Sequence, residues 1–153
     1  MANFLIVVGS VNGHALSAAE GAAKLLIKLG HNIEINTQTT PADLLRDSNE
    51  IILVCCSTTD QGQLPQNIFP LYRALDNQQI NLTDRLYGVL ALGDSFFPPS
   101  QYAMGGIRFE NALYSCGAKK IGDIGLLDAQ SVENYALAAA LWTQDWLKKL
   151  GLL

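Results

Sequence analysis

The chain has 153 residues, 49% hydrophobic and 16% charged, with 14 acidic residues against 10 basic ones and a formal net charge of −4. That length fits one domain, residues 1–153, able to bury roughly two thirds of its unfolded surface without a disulfide or structural metal. Neither sign of charge forms a long run, which argues against nucleic acid or an anionic membrane as the main partner, and no stretch approaches the roughly 20 apolar residues that span a bilayer.

Apolar runs of strand length fall at 4–8, 33–35, 51–56, 87–92 and 121–127, and four of the five are nearly continuous rather than alternating. Continuous runs imply burial on both faces of a sheet. Between them lie helical patterns. Leu16, Ala19, Ala23, Leu26 and Ile27 mark one face of a first helix, which Gly30 ends as a left-handed cap. Thr40, Pro41 and Asp43 have the spacing of an N-cap, a first helical proline and a capping box. Ile68, Leu71, Tyr72 and Leu75 give a third stripe, and residues 107–114 a fourth helix. The last helix carries Val132, Tyr135, Ala139, Trp142, Trp146 and Leu150 at helical spacing, with Lys148 and Lys149 near its negative end. Both tryptophans read as core packing.

Strict alternation of strand and helix implies an α/β fold, a three-layer doubly wound sheet of five parallel strands joined by right-handed crossovers. A short five-stranded chain favours the order 2-1-3-4-5, with ligands held beyond the carboxyl ends of the strands. The three cysteines do not form a disulfide framework: Cys55 and Cys56 are neighbours on a strand and point to opposite faces, and Cys116 follows a helix. The start of the chain has no basic leader and no small-residue cleavage site, so a soluble, cytoplasmic protein is expected; a monomer is the separate expectation for its assembly.

Three strand-to-loop transitions carry the chemistry, after Val8, Cys56 and Leu92. The first reads Ser10, Val11, Asn12, Gly13, His14, Ala15 and enters a helix, so backbone amides and the helix's positive end converge where a phosphate can sit. It lacks the lysine of a nucleoside triphosphate loop and the glycine pattern of a dinucleotide site, which leaves a monophosphate, or an ordinary glycine-containing turn. The second loop spans residues 57–66, and the third, residues 93–106, is long and aromatic. Phe96, Phe97 and Tyr102 offer a stacking face for a flat ring, or anchors onto the core. No metal cluster, catalytic triad or paired acid and base stands in these loops, and His31 falls far from them.

The run from Ser57 through Thr58, Thr59, Asp60, Gln61 and Gly62 to Pro65, the strand ending Leu92-Gly93-Asp94-Ser95, and Gly105-Gly106 before a helix together resemble the flavodoxins, in particular the bacterial short-chain flavodoxins. The resemblance covers nearly the whole chain. It implies a flavodoxin-like fold, non-covalent FMN and one-electron transfer between a flavodoxin reductase and an acceptor enzyme, with no enzymatic substrate of the chain's own. It also implies phosphate at residues 10–15, backbone of Thr58 to Gly62 facing flavin N5, Gly93 and Asp94 at the pyrimidine edge, and Phe97 in place of a stacking tyrosine, with Tyr102 as the alternative ring.

The departures from that pattern have physical consequences. Asn12 and Ala15 replace hydroxyl residues of the phosphate loop, and losing a hydrogen bond to a charged group costs about 1.5–3 kcal/mol, so weaker FMN binding is implied. Asp60 stands where glycine is common, at a peptide thought to reorient with redox state. Asp reaches positive φ less readily than Gly, which implies a less stabilised one-electron-reduced state. Gln61, Gln63 and Gln66 replace carboxylates, so docking should depend less on salt. Two other readings stay open: a small FMN-dependent NAD(P)H:quinone or flavin reductase, and a flavodoxin-fold interaction module with weakened or lost FMN binding.

Overall fold

In the computed structural model, which describes all 153 residues, the first apolar run is paired on both sides. β1 (Asn3–Gly9) lies between β2 (Asn32–Asn36) and β3 (Ile51–Cys56), parallel to each. β4 (Leu86–Gly93) joins β3, and both β5 (Lys119–Lys120) and β6 (Gly125–Asp128) pair with β4. The expected 2-1-3-4-5 order is therefore present, with its last strand in two pieces.

The single strand expected over 121–127 is broken because Gly122 takes a left-handed φ of 74°, which an extended ladder does not accommodate. Ile121 still donates its N–H to the Tyr87 carbonyl at 2.9 Å before the chain leaves β4, and pairing resumes where Gly125 meets Leu90.

The helices are α1 (His14–Lys28), α2 (Pro41–Leu45), α3 (Phe69–Asp76), α4 (Met104–Ser115) and α5 (Tyr135–Lys149). The capping box at α2 forms as its sequence predicts: Asp43 N–H donates to Thr40 Oγ1 at 3.3 Å and Thr40 N–H to Asp43 Oδ2 at 2.9 Å. Gly30 ends α1 at φ 90°, as expected. Ile27, assigned to the buried face of α1, is exposed instead.

Two cores follow directly from the period of the strands. Phe4, Ile6 and Val8 of β1 pack with Leu53, Cys55 and Leu90 under α1 and α5, whereas Leu5 and Val7 pack with Ile52, Val54 and Cys56 under α3 and α4. Cys55 and Cys56 thus serve opposite cores, and burial pushes the Cys55 thiol up to about 12. Trp146 is buried against Phe4 and stacks on Trp142 at 5.5 Å.

α1 and α5 cross closely because Gly21 has no side chain to hold Ala136 away: a Cβ there would run into the Ala136 carbonyl. Helix propensity alone predicts that Gly21→Ala stabilises by about 1 kcal/mol. Overpacking against backbone costs about 1–3 kcal/mol and opposes it. Gly21→Ala therefore lowers the urea midpoint of unfolding; a raised midpoint would mean that the helices separate without cost.

Candidate functional site

Parallel register delivers the strand ends to one edge. Gly9 pairs with Cys56, Cys56 with Ala91, and Gly93 with Asp128. The loops leaving that edge enclose a cleft of about 490 Å³, inside the roughly 300–1,000 Å³ typical of small-ligand sites. Its walls are Val11, Asn12 and His14 from the first loop, then Ser57, Thr58, Thr59, Asp60, Gln61 and Gly62 from the second. Leu92, Gly93, Asp94, Phe97 and Gln101 come from the third, and Ala129 and Tyr135 from beyond β6.

In the first loop, Ser10 Oγ accepts the Gly13 N–H at 3.0 Å and Gly13 turns the chain at φ 86°, the left-handed conformation that glycine adopts without strain. The next carbonyl-to-amide bond runs from Ser17 N–H to Gly13. The amides of Val11, Asn12, His14 and Ala15 consequently have no partner in the protein and converge at the start of α1, whose first turn carries no carboxylate. Because Ser10 Oγ already accepts, its hydroxyl hydrogen is free to donate. Ser10, Gly13 and Ala15 do not line the cleft with side chains; Ala15 is fully buried in the core beneath α1, so it contributes its amide alone.

Thr58 locks the second loop to the third. Its Oγ1 donates to the Leu92 carbonyl at 2.9 Å and accepts the Gly105 N–H at 3.0 Å. Beyond it, Thr59 N–H donates to the Gln63 carbonyl at 2.8 Å and closes a tight turn over Asp60–Gly62. The left-handed residues of this turn are Gln61, at φ 60°, and Gly62, at φ 78°. Asp60 itself is not left-handed. The amides of Asp60 and Gln61 are unpaired.

The third loop is pinned by carboxylates. Asp128 Oδ1 accepts the N–H groups of Ser95 and Gln130, each at 3.0 Å, and Asp94 Oδ1 accepts Phe96 N–H at 2.9 Å and Gln130 Nε2–H at 2.7 Å. These donors, the Gln130 amide foremost, hold the Asp128 carboxyl below the usual carboxylate range. Phe97 lines the cleft and meets Phe96 edge to face at 5.7 Å. Tyr102, named from sequence as a possible stacking ring, instead packs against the core as the chain turns into α4, and does not line the cleft. Gly105 and Gly106 stand inside the first turn of α4 rather than before it, where the absence of side chains lets the helix approach Ser57 and Ala91.

Tyr135 opens α5 and stacks on His14 with ring centroids 4.6 Å apart and planes 10° from parallel. Burial, then the carboxylates of Asp94 and Asp128, push its phenol up. Sequence reasoning placed Tyr135 only in the apolar stripe of the last helix and missed Leu92, Gln101 and Ala129. The signal available was position: a ring at the first turn after a strand's carboxyl end falls at the ligand edge. No Lys or Arg lines the cleft, so it offers an anion no permanent cation: amides, the α1 dipole and the His14 imidazole stand in their place.

Two outcomes follow from these anchors. Thr58→Val leaves the Leu92 carbonyl and Gly105 amide without their partner and lowers unfolding stability by about 1–3 kcal/mol, measured in urea; an unchanged midpoint contradicts the clamp. For Asp128 the folded pKa lies below the unfolded one, so its stabilisation is complete above the ordinary carboxylate range and is lost as pH falls through the folded value. Asp128→Ala accordingly lowers the melting temperature at pH 7, and the gap from the unaltered protein closes on acidification. A gap that stays constant into acid would mean that the charge plays no part.

A family model described as Flavodoxin matches residues 6–142. Flavodoxin YqcA of Pectobacterium carotovorum subsp. carotovorum is 38% identical over 146 residues, covering 95% of each chain. Among solved structures, a variant of flavodoxin from Pseudomonas aeruginosa superposes with a TM-score of 0.87 at 30% identity, over 97% of this chain and 99% of that one. The pyruvate dehydrogenase [NADP(+)] of Cryptosporidium parvum matches 95% of this chain at 27% identity, but over 8% of its own length. Likeness of this extent, in sequence and in fold together, makes the chain a member of the flavodoxin family, whose proteins bind FMN and carry electrons.

Proposed function

We propose that the chain holds FMN in the cleft at the strand ends and passes single electrons from a reductase to an acceptor enzyme. The observation that carries this reading is the set of unpaired amides at Val11, Asn12, His14 and Ala15, which suits a phosphate, facing the unpaired amides of Asp60 and Gln61 across a slot walled by Phe97. FMN supplies the redox chemistry when bound, and the protein's part is orientation and electrostatic tuning.

The first loop binds the phosphate through amide hydrogens and the Ser10 hydroxyl, in place of cations. Asn12 and Ala15 add no hydroxyl donors, and His14 brings an imidazole held in place by Tyr135. The second loop presents the Asp60 and Gln61 amides to the flavin's hydrogen-bonding edge, and Gly93 and Asp94 meet the ring from the third loop. Phe97 covers a face of the ring with apolar surface and keeps water off it. Asp60 and Asp94 are the acidic residues of the cleft wall, so the walls disfavour extra negative charge on a bound ring. The match to one segment of a much larger NADP(+)-linked dehydrogenase supports a partner that exchanges electrons with a nicotinamide cofactor.

FMN added to apoprotein is expected to lose its fluorescence as a one-to-one complex forms. Riboflavin, without the phosphate, should bind at least about tenfold more weakly, since one hydrogen bond to a charged group is worth about 1.5–3 kcal/mol. The FMN-loaded protein alone should not turn over NADH or NADPH. Apoprotein that ignores FMN would favour the interaction-module reading, and rapid multiple-turnover NAD(P)H oxidation would favour a reductase.

A further inference from the structure

We propose that Asn67 is a positioning residue that presets the amide nest of the first loop, and thereby sets how strongly the chain prefers FMN to its unphosphorylated counterpart. The inference rests on the phosphate placement proposed above. Asn67 lies just past the second loop and ahead of α3, and touches none of the nest's open amides. Its carboxamide is fully committed to backbone elsewhere. Nδ2 donates to the Val8 carbonyl at 2.8 Å and to the Thr37 carbonyl at 2.9 Å, and Oδ1 accepts the Ser10 N–H at 3.1 Å.

Three consequences follow from that pattern. An asparagine carboxamide has two N–H donors and one carbonyl oxygen, so one side chain fixes the exit of β1 at two points and ties it to the exit of β2. The Ser10 amide is turned toward Asn67, so the open amides begin at Val11. With the Gly13 amide on Ser10 Oγ, the loop is braced at both of its ends before any ligand arrives. Because no Lys or Arg lines the cleft and the one imidazole there, His14, is stacked on Tyr135, anion affinity depends strongly on where the amides point. A brace that orders them beforehand removes an ordering cost from binding.

The test compares FMN with riboflavin, using fluorescence quenching on the full chain, in the unaltered protein, Asn67→Ala and Asn67→Asp. Asn67→Ala should raise the FMN Kd about tenfold and leave the riboflavin Kd within about twofold, a free-energy difference assigned to the phosphate end alone. Asn67→Asp keeps an acceptor for the Ser10 amide but cannot donate to Val8 or Thr37, and sets a negative charge beside the nest. It should show the same split at least as strongly. Inorganic phosphate should compete with FMN in the unaltered protein and compete less well in both variants. Equal weakening of both ligands, an unchanged FMN Kd, or loss of cooperative unfolding in both variants would overturn the inference, since Asn67 would then act on the fold as a whole or not at all. Equal affinity of the unaltered protein for the two ligands would instead defeat the phosphate placement beneath it.

Discussion

Backbone amides left unpaired at one edge of a parallel sheet are the constraint on which this structure turns. Amide hydrogens are obligatory donors, and a fold pairs nearly all of those it buries. Here those of Val11, Asn12, His14, Asp60 and Gln61 stay open together on the walls of a single cleft, with that of Ala15 unpaired behind them in the first turn of α1. They do so because parallel register brings the strands to a common end, and because the side chains nearby spend their hydrogen-bonding capacity on other groups. An anionic, hydrogen-bond-accepting guest answers such a surface without any fixed cation.

The loops are built as a coupled set. Thr58 joins the second loop to the end of β4 and the start of α4, and the Asp94, Asp128 and Gln130 web joins the third loop to the segment after β6. Serine and asparagine brace the first. Each tie is a short polar side chain bonded mainly to backbone, so loop spacing is set by hydrogen bonds of fixed length rather than by packing of flexible apolar groups. The aromatic residues divide between two tasks: Tyr102 anchors its loop on the core, and Phe97 faces the cleft.

Much of the architecture is legible in the sequence because its signals are local. Continuous apolar runs announce strands covered on both faces, and the order 2-1-3-4-5 follows from chain length and alternation. The Thr40, Pro41, Asp43 cap needs only its own residues. What escaped prediction depends on contacts distant in sequence or on backbone detail. Asn67 reaches partners 30 to 59 positions away, and an asparagine in a polar loop carries no mark of that reach. Gly122 breaks the last strand inside a run whose apolar residues read as continuous. The left-handed φ of Gln61 lies within a tight turn that closes on Gln63, a backbone detail that the residue types do not announce. Tyr135 was hidden by its helical spacing, which fits a core stripe as well as a rim.

The most direct test of the account is a backbone amide NMR titration of ¹⁵N-labelled apoprotein with FMN. The account predicts that the resonances of Val11, Asn12, His14, Ala15, Asp60 and Gln61 shift together and saturate at one equivalent, while those of the opposite edge, such as Lys119 and Lys120, stay in place. Shifts confined to another surface, or a first loop that does not respond while the ring is bound, would contradict it.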